Sequence, residues 1–437
     1  MSNRVEYFIA RRTGAEGRSS MERVAVVAVA LSLSVMIMTL AVIFGFKRDI
    51  HSKLTTLSGE MVITSHYGPS SSFIEPILRG DVLPSFIKEV AAGEGYNPYR
   101  IAPYALCSAI LRAPDGVDGV VLKGIDSLYN IEVLERSIVA GDMLDLTSNA
   151  AVARASRSAL ISQKMASEMN LSVGSRLEIL IPSSSENSSN AMRRDLYRVG
   201  GIFSAGLGEG ERQIVLTDLR NVQRINGWSS DQISGYETWL SHDAAGRRSA
   251  LSDAPYLSYA VNSALIYGDS FSDSKELESV AAFSVQGIYP SIFDWLVAHN
   301  VNAVVIITIM LIVAAFNIIT ALLIMVLERT QMIGLLKSLG MTNSAIRRIF
   351  LWRALGITAR GMAWGNGVGL ALCLLQHWFE VLKLDESGYM LSVVPIEIGF
   401  DWLLALNFGA VATILLMVTL PTKFATTIEP SKAIKYQ

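Results

Sequence analysis

The sequence predicts a membrane protein of four transmembrane α-helices, with a large α+β extracytoplasmic domain between the first and second spans. Three observations predict it. The chain of 437 residues is 51% hydrophobic and only 17% charged, with positive mean hydropathy, which is apolar for a soluble protein. Four stretches, 24–46, 301–326, 354–379 and 402–420, carry no charge except Arg360. Each matches the roughly 20 residues that cross the hydrocarbon of a bilayer. Residues 47–300, by contrast, alternate short β-type runs with helical patterns, as a mixed α+β domain does.

The N-terminal segment, 1–23, is basic through Arg4, Arg11, Arg12, Arg18 and Arg23. A secretory signal peptide shares such a lead, but its apolar core is only about 7–15 residues long and ends at a small-x-small site. The run 24–46 is longer and no such site closes it, so it reads as an uncleaved anchor. Beyond it, Ile50, Leu54 and Leu57 keep helical spacing, so a helical stalk continues over 47–58 until Gly59.

In the external region, "GVVLKGI" (119–125), "SRLEILIP" (175–182), "LYRVGGIF" (196–203) and "RQIVLTDL" (212–219) read as strands. "ALISQKMASEMNL" (159–171) reads as a helix with Leu160, Met165, Ala166 and Met169 near one face. In "TDLRNVQRING", Thr217 or Asp218 caps a helix lined by Leu219, Val222 and Ile225, and Gly227 stops it. "GLGEG" (206–210) reads as a flexible hairpin and the serine-rich 181–195 as a surface loop. A second stalk, 291–300, carries Ile292, Trp295, Leu296 and His299. No Pro or Gly interrupts from Ser291 to Ile333, so one helix over 291–339 would be about 70 Å long, about twice a bilayer's need.

The segment 327–353 is too polar for lipid and too regular for a passive connector. Met332, Leu335, Leu336 and Leu339 form one apolar stripe, with Glu328, Arg329, Gln331 and Lys337 on other faces. Gly340 is a natural left-handed terminator, and Thr342 or Asn343 caps the next helix. Such a bend either rests on lipid headgroups or docks into a soluble partner. In the spans, Asn317 calls for a hydrogen bond to another helix, and Gly361, Gly365 and Gly369 let another helix approach closely.

Lysine and arginine set the orientation. Segment 327–353 holds Arg329, Lys337, Arg347, Arg348 and Arg353, whereas the loop 380–401 holds only Lys383 among several acids. The tail, 421–437, carries Lys423, Lys432 and Lys435. Both termini and 327–353 therefore belong inside, with 47–300 outside.

Several functions are excluded. The net charge of −2 provides no basic field, so no nucleic-acid partner is expected. There is no G-x-x-x-x-G-K-[ST] phosphate loop and no G-x-S-x-G elbow. His51, His66, His242, His299 and His377 lack metal-ligand spacing. No catalytic residue, metal site or cofactor is expected in this chain. Cys107 and Cys373 lie in the external region and in a span, too far apart to pair.

The stretch "AAFNIITALLIMVLERTQMIGLLKSLGMTNSAIRRIFLWRALGI" (314–357) resembles the signature of FtsX-like, MacB-type (type VII) ABC transporter permeases. The tail from Tyr389, with Pro421 and the Pro430-x-x-Ala433-Ile434 ending, is similar too. "FIARR", "FGFKRDIHSKLTTLSGEMVIT", "VVLKGID", "LSVGSRLEIL" and "VGGIF" fall in the order of the LolC/LolE lipoprotein-releasing transmembrane subunits, the members the chain most resembles.

The resemblance implies a non-catalytic subunit of a bacterial inner membrane, working with two copies of an ABC ATPase that binds ATP and Mg. A second permease subunit, identical or paralogous, would complete the complex. Strokes along the long helices would extract lipoproteins from the membrane. The ATPase-coupling residues would be Glu328, Met332, Gly334, Leu335, Leu336, Lys337, Leu339 and Gly340. Membrane lipid chains of the cargo would enter near Phe44, Phe46 and Trp295. The resemblance leaves two roles for the outer domain. One is a hairpin hook that grips a periplasmic carrier, for which Pro182, Met192, Arg193 and Arg194 are the candidates, although few apolar residues stand at its tip. The other, as in LolE-like members, is acceptance of the lipoprotein itself. Two alternatives stay open: a MacB-like exporter of peptides or toxic compounds, and an FtsX-like transmitter that controls a cell-wall hydrolase.

Overall fold

The structure, a computed structural model, describes residues 20–427 apart from 70–73, 114–115, 147–155, 183–191, 207–208, 241–252, 268–273, 278, 329, 385–390 and 392. The motif runs at 8–12 and 430–434, the tip of the serine-rich stretch and Arg329 lie outside the described residues. The rest forms two compact units, one of 49–294 with 384–392, the other of 20–48, 295–383 and 393–427.

The first unit is built on strands β1 (Met61–Ser65), β2 (Ile77–Leu78), β3 (Pro98–Ala113), β4 (Gly116–Ile125), β5 (Ile138–Gly141), β6 (Ser158–Ser162), β7 (Arg176–Pro182), β8 (Met192–Phe203), β9 (Ile214–Asp218), β10 (Gln232–Ile233), β11 (Gly235–Leu240) and β12 (Val280–Ser284). The main sheet runs β12-β1-β11-β3-β4-β9-β6-β8-β5, and β7 pairs with both β3 and β8. The ring β3–β4–β9–β6–β8–β7 thus closes on itself, leaving no free edge along that path. Only β4–β9 and β6–β8 are parallel among these pairings. β3 is the spine: its first half pairs with β11 and its second half with β4 and β7. The inward faces meet in one core, with Ile63, Leu111, Leu122, Ile161, Leu177 and Val215 fully buried. Helices Val82–Gly93, Leu219–Asn226 and Asp253–Tyr267 pack over the sheet.

The strands read from the sequence at 119–125, 175–182, 196–203 and 212–219 fall on β4, β7, β8 and β9. Two other readings are corrected. Residues 159–171 are not one helix: Ser158–Ser162 is a central strand between β8 and β9, and the helix is Gln163–Glu168. Ala159, Leu160 and Ile161 are all buried, and a short apolar run carries no period to separate strand from helix. Ser162 ends the strand and caps the helix, accepting from the Met165 amide at 3.2 Å. "GLGEG" does not turn a hairpin either. β6 lies between β8 and β9, so the chain crosses over it and forms the short helix Glu209–Arg212 on the way. The helix Leu219–Asn226 is capped by Asp218, and Gly227, at φ +73°, ends it.

The second unit is helical. Its long helices are Ser20–Ser58, Pro290–Glu328, Asn343–Phe379 and Phe400–Thr427, called here the first to the fourth. Each of the first two counts 39 residues, about 58 Å of helix, and both are long and apolar enough to cross a membrane. Helix is described up to Glu328 and again over Thr330–Ser338. The third helix lies along the first, in parallel. Cβ atoms built at Gly361, Gly365 and Gly369 would meet Val29, Leu33 and Ile37 in turn, at 2.7, 2.9 and 3.2 Å. Without side chains at those glycines the backbones approach closely enough for Ser34 Oγ to donate to the Gly365 carbonyl at 2.9 Å. On the second helix Val301, Val304, Val305, Ile309, Ile312 and Phe316 are exposed, an apolar surface that suits lipid or another apolar helix rather than water.

Candidate functional site

The bend after the second helix is fixed by its own backbone. Gly340 takes φ +84°, the Gly340 amide donates to the Lys337 carbonyl and the Met341 amide to the Leu336 carbonyl, both at 3.0 Å. That bond pair is a Schellman motif, which satisfies the last carbonyls of Thr330–Ser338. Thr342 then caps the third helix, its hydroxyl accepting from the Ala345 amide at 3.4 Å. The bend is therefore closed at both ends.

Burial within the bend differs from the expected stripe. Ile333 is fully buried among Ala25, Ala321, Val326, Ile346 and Phe350, with Leu336 against their margin. Gly334 is buried, and Met332, Leu336 and Lys337 are half-buried. Leu335 is 59% exposed and Leu339 76% exposed, while Glu328 and Gly340 also face outward. The helix thus has two apolar faces. One anchors it to its own unit, and the other presents leucines with nothing over them among the described residues.

The three aromatic residues expected near the outer ends separate into two pairs. Phe46 and Trp295 meet edge to face with centroids 5.9 Å apart, joining the first and second helices. Phe44 stacks on Trp402 at 5.8 Å, joining the first and fourth. His299, one turn beyond Trp295, lies 4.1 Å from its ring. Trp402 and His299 carried no signal beyond their position at the end of a span. Gly45, between the two phenylalanines, leaves room for the Pro395 carbonyl, which a Cβ would meet at 2.4 Å.

Asn317 is half-buried and its side chain has no hydrogen-bond partner among the described residues, contrary to the expectation. Its neighbours on the buried face, Ala314, Ile318 and Ala321, offer none. The interhelical amide pair is instead Asn366 with Asn407, bonded reciprocally at 2.7 and 3.0 Å between the third and fourth helices.

The end of the first helix holds polar chemistry that the sequence reading missed. Lys123 of β4 and Glu237 of β11 form an ion pair at 2.5 Å, both fully buried. Lys123 also donates to the Leu57 carbonyl, the Tyr129 hydroxyl donates to the same carbonyl at 3.0 Å, and Trp239 Nε1 donates to the Thr55 carbonyl at 2.8 Å. Lys123 and Tyr129 thus occupy the Leu57 carbonyl, one of those that a helix C-terminus leaves unsatisfied. Trp239 adds a second donor to the Thr55 carbonyl, which also accepts from the Gly59 amide at 3.2 Å, and the ammonium sits at the negative end of the dipole. Burial lowers the Lys123 pKa, opposed by Glu237, and raises that of Glu237, opposed by Lys123. The second oxygen of Glu237 has no hydrogen-bond partner among the described residues.

The candidate hook residues lie on a hairpin. β7 and β8 pair antiparallel with Pro182 opposite Met192, so those two form the base of a loop whose tip, 183–191, is outside the described residues. Arg193 is exposed, and Arg194 is tied to Glu178 across the ladder.

Residues 304–430 match the family model "FtsX-like permease C-terminal". Across 432 residues the chain is 22% identical to the lipoprotein-releasing system transmembrane protein LolC of Xylella fastidiosa (strain Temecula1), which covers 96% of this chain and 94% of the relative. It is 21% identical over 437 residues to LolC of Neisseria meningitidis serogroup B, covering 96% and 95%. It is 21% identical over 422 residues to LolE of Haemophilus influenzae, covering 93% and 92%. Among solved structures, the extracellular domain of the noncanonic ABC-type transporter YknZ from Gram-positive bacteria aligns with 51% of this chain and 99% of its own. That alignment has 12% identity and a TM-score of 0.28, too low to carry an argument. Residues 304–430 thus match an FtsX-like permease domain, and LolC and LolE proteins match more than nine-tenths of the chain's length at 21–22% identity, so the chain is similar to the LolC/LolE members of the FtsX-like ABC permeases.

Proposed function

We propose that this chain is a multi-pass subunit of a bacterial inner-membrane complex that extracts lipoproteins from the membrane, powered by a separate ATPase. Both termini and the 327–353 bend face the cytoplasm in this reading, and four helices span the bilayer. Two ATPase subunits that bind ATP and Mg engage the exposed Leu335 and Leu339, and a second permease subunit covers part of the apolar helix surface. The work of hydrolysis is carried along the long helices to the outer domain, which acts on the lipoprotein and its carrier.

The single observation that carries the mechanism is the first helix. It runs unbroken from Ser20 to Ser58, and its last carbonyls are held by buried side chains of the sheet. A helix held in this way transmits displacement instead of fraying. The Phe46–Trp295 contact supports a lipid entrance at the outer ends of the first and second helices.

Purification of the full complex from its own membrane, followed by mass spectrometry of co-purified lipidated proteins, tests the cargo. Acylated lipoproteins released on ATP addition are expected. An intact, ATP-hydrolysing complex that carries and releases none would refute the lipoprotein reading.

A further inference from the structure

A cavity of about 350 Å³ opens between the first and third helices, before the glycine stripe brings them together. Glu22, Arg23 and Arg360 form its polar wall, and Val26, Val27 and Trp364 its apolar wall. Glu22 is only 3% exposed and is already held twice, by Arg353 Nη2 at 3.2 Å and by Arg360 Nη1 at 2.8 Å. Arg23, which lines the same cavity, has no ion pair among the described residues. A further anion would balance its charge.

The apolar wall says what kind of anion. Val27 is 63% and Trp364 67% exposed beside the charged groups, and Val24 and Leu31 extend the same uncovered face along the first helix. A small inorganic anion would use the arginines and leave these side chains bare. Lipids carry an anionic group and an apolar tail together. Basic pockets between transmembrane helices recognise such headgroups, and guanidinium matches phosphate geometry.

We propose that this cavity binds an anionic glycerophospholipid. Its phosphate lies between Arg23 and the half-exposed Arg360 side chain, and an acyl chain runs along Val27 and Trp364. Glu22 serves to hold Arg360 in position instead of meeting the lipid. The proposal rests on the chain being a membrane protein but not on the identity of its cargo, so either idea can fail without the other.

Native mass spectrometry of the intact complex in detergent tests it, with titration of dioleoyl-phosphatidylglycerol, dioleoyl-phosphatidylcholine or inorganic phosphate. One saturable phosphatidylglycerol per copy of this chain is expected, with phosphatidylcholine retained only non-specifically. Arg23→Gln breaks no ion pair of the described residues and should weaken phosphatidylglycerol binding about tenfold, one charge-assisted contact. Trp364→Ala, at an exposed position, should weaken it also and provides a second route if the first variant assembles poorly. Equal retention of both lipids, or affinity unchanged in both variants, would overturn the proposal. Displacement of the lipid by millimolar inorganic phosphate would do so too, because the site would then take the free anion.

Discussion

At the scale of single residues, the Lys123–Glu237 pair governs how the first helix ends. Removing one member of a buried pair leaves an uncompensated charge, which costs about 3–5 kcal/mol. Glu237→Ala should therefore lower the unfolding free energy by about that much in chemical denaturation. Lys123→Met should behave differently. It leaves a buried carboxyl whose pKa burial already raises, above the unfolded value of about 4.3. The folded state then binds the proton more tightly, so stability is full below that value and is lost as pH rises towards the folded pKa. The melting temperature of this variant should fall more steeply than the parent's as pH rises above about 4.3, read by a thermal scan at several pH values. Cys107 shows the same effect of burial on a thiol, which is pushed up to about 11. It should resist alkylation in the folded protein at neutral pH. None of these roles could be read from the chain. "GVVLKGI" showed a strand, but nothing in it says that Lys123 turns inward to meet Glu237, more than a hundred positions away. Caps were legible because they are local: Gly340 and Thr342 do what their own backbone positions demand.

At the scale of elements, the bend and the glycine stripe make separate predictions. Leu335 and Leu339 are exposed while Ile333 anchors the helix. Leu335→Asp with Leu339→Asp should thus leave membrane insertion intact and reduce ATPase co-purification at least tenfold. An Ile333→Asp control should instead destabilise the chain itself. The helical period located this stripe but could not say which of its apolar residues faces inward, because Ile333 lies between two of its positions. Gly365→Ala would bring a Cβ within 2.9 Å of both Ala30 O and Leu33 Cβ. Overpacking of that kind costs about 1–3 kcal/mol and should appear as a lowered melting temperature in detergent. The spacing of the glycines was visible in the sequence, but their partner helix was not. The strand Ser158–Ser162 was misread because its pairing partners, β8 and β9, are supplied by distant chain.

At the scale of the whole molecule, the long apolar runs were legible because composition alone determines them. The closed ring of strands was not, since closure depends on register among β3, β7 and β8. The proposed mechanism requires that displacement entering near the bend travel along unbroken helix to the sheet unit. The first helix passes from one compact unit to the other at Arg48 and Asp49 without interruption. Insertion of four glycines there would decouple the two ends without touching the bend, the lipid face or the Lys123 clamp. The decisive measurement is ATP hydrolysis and lipoprotein release by the reconstituted complex carrying this insertion. Hydrolysis near the parent's rate with release lost is the predicted result, and release at the parent's rate would contradict the account.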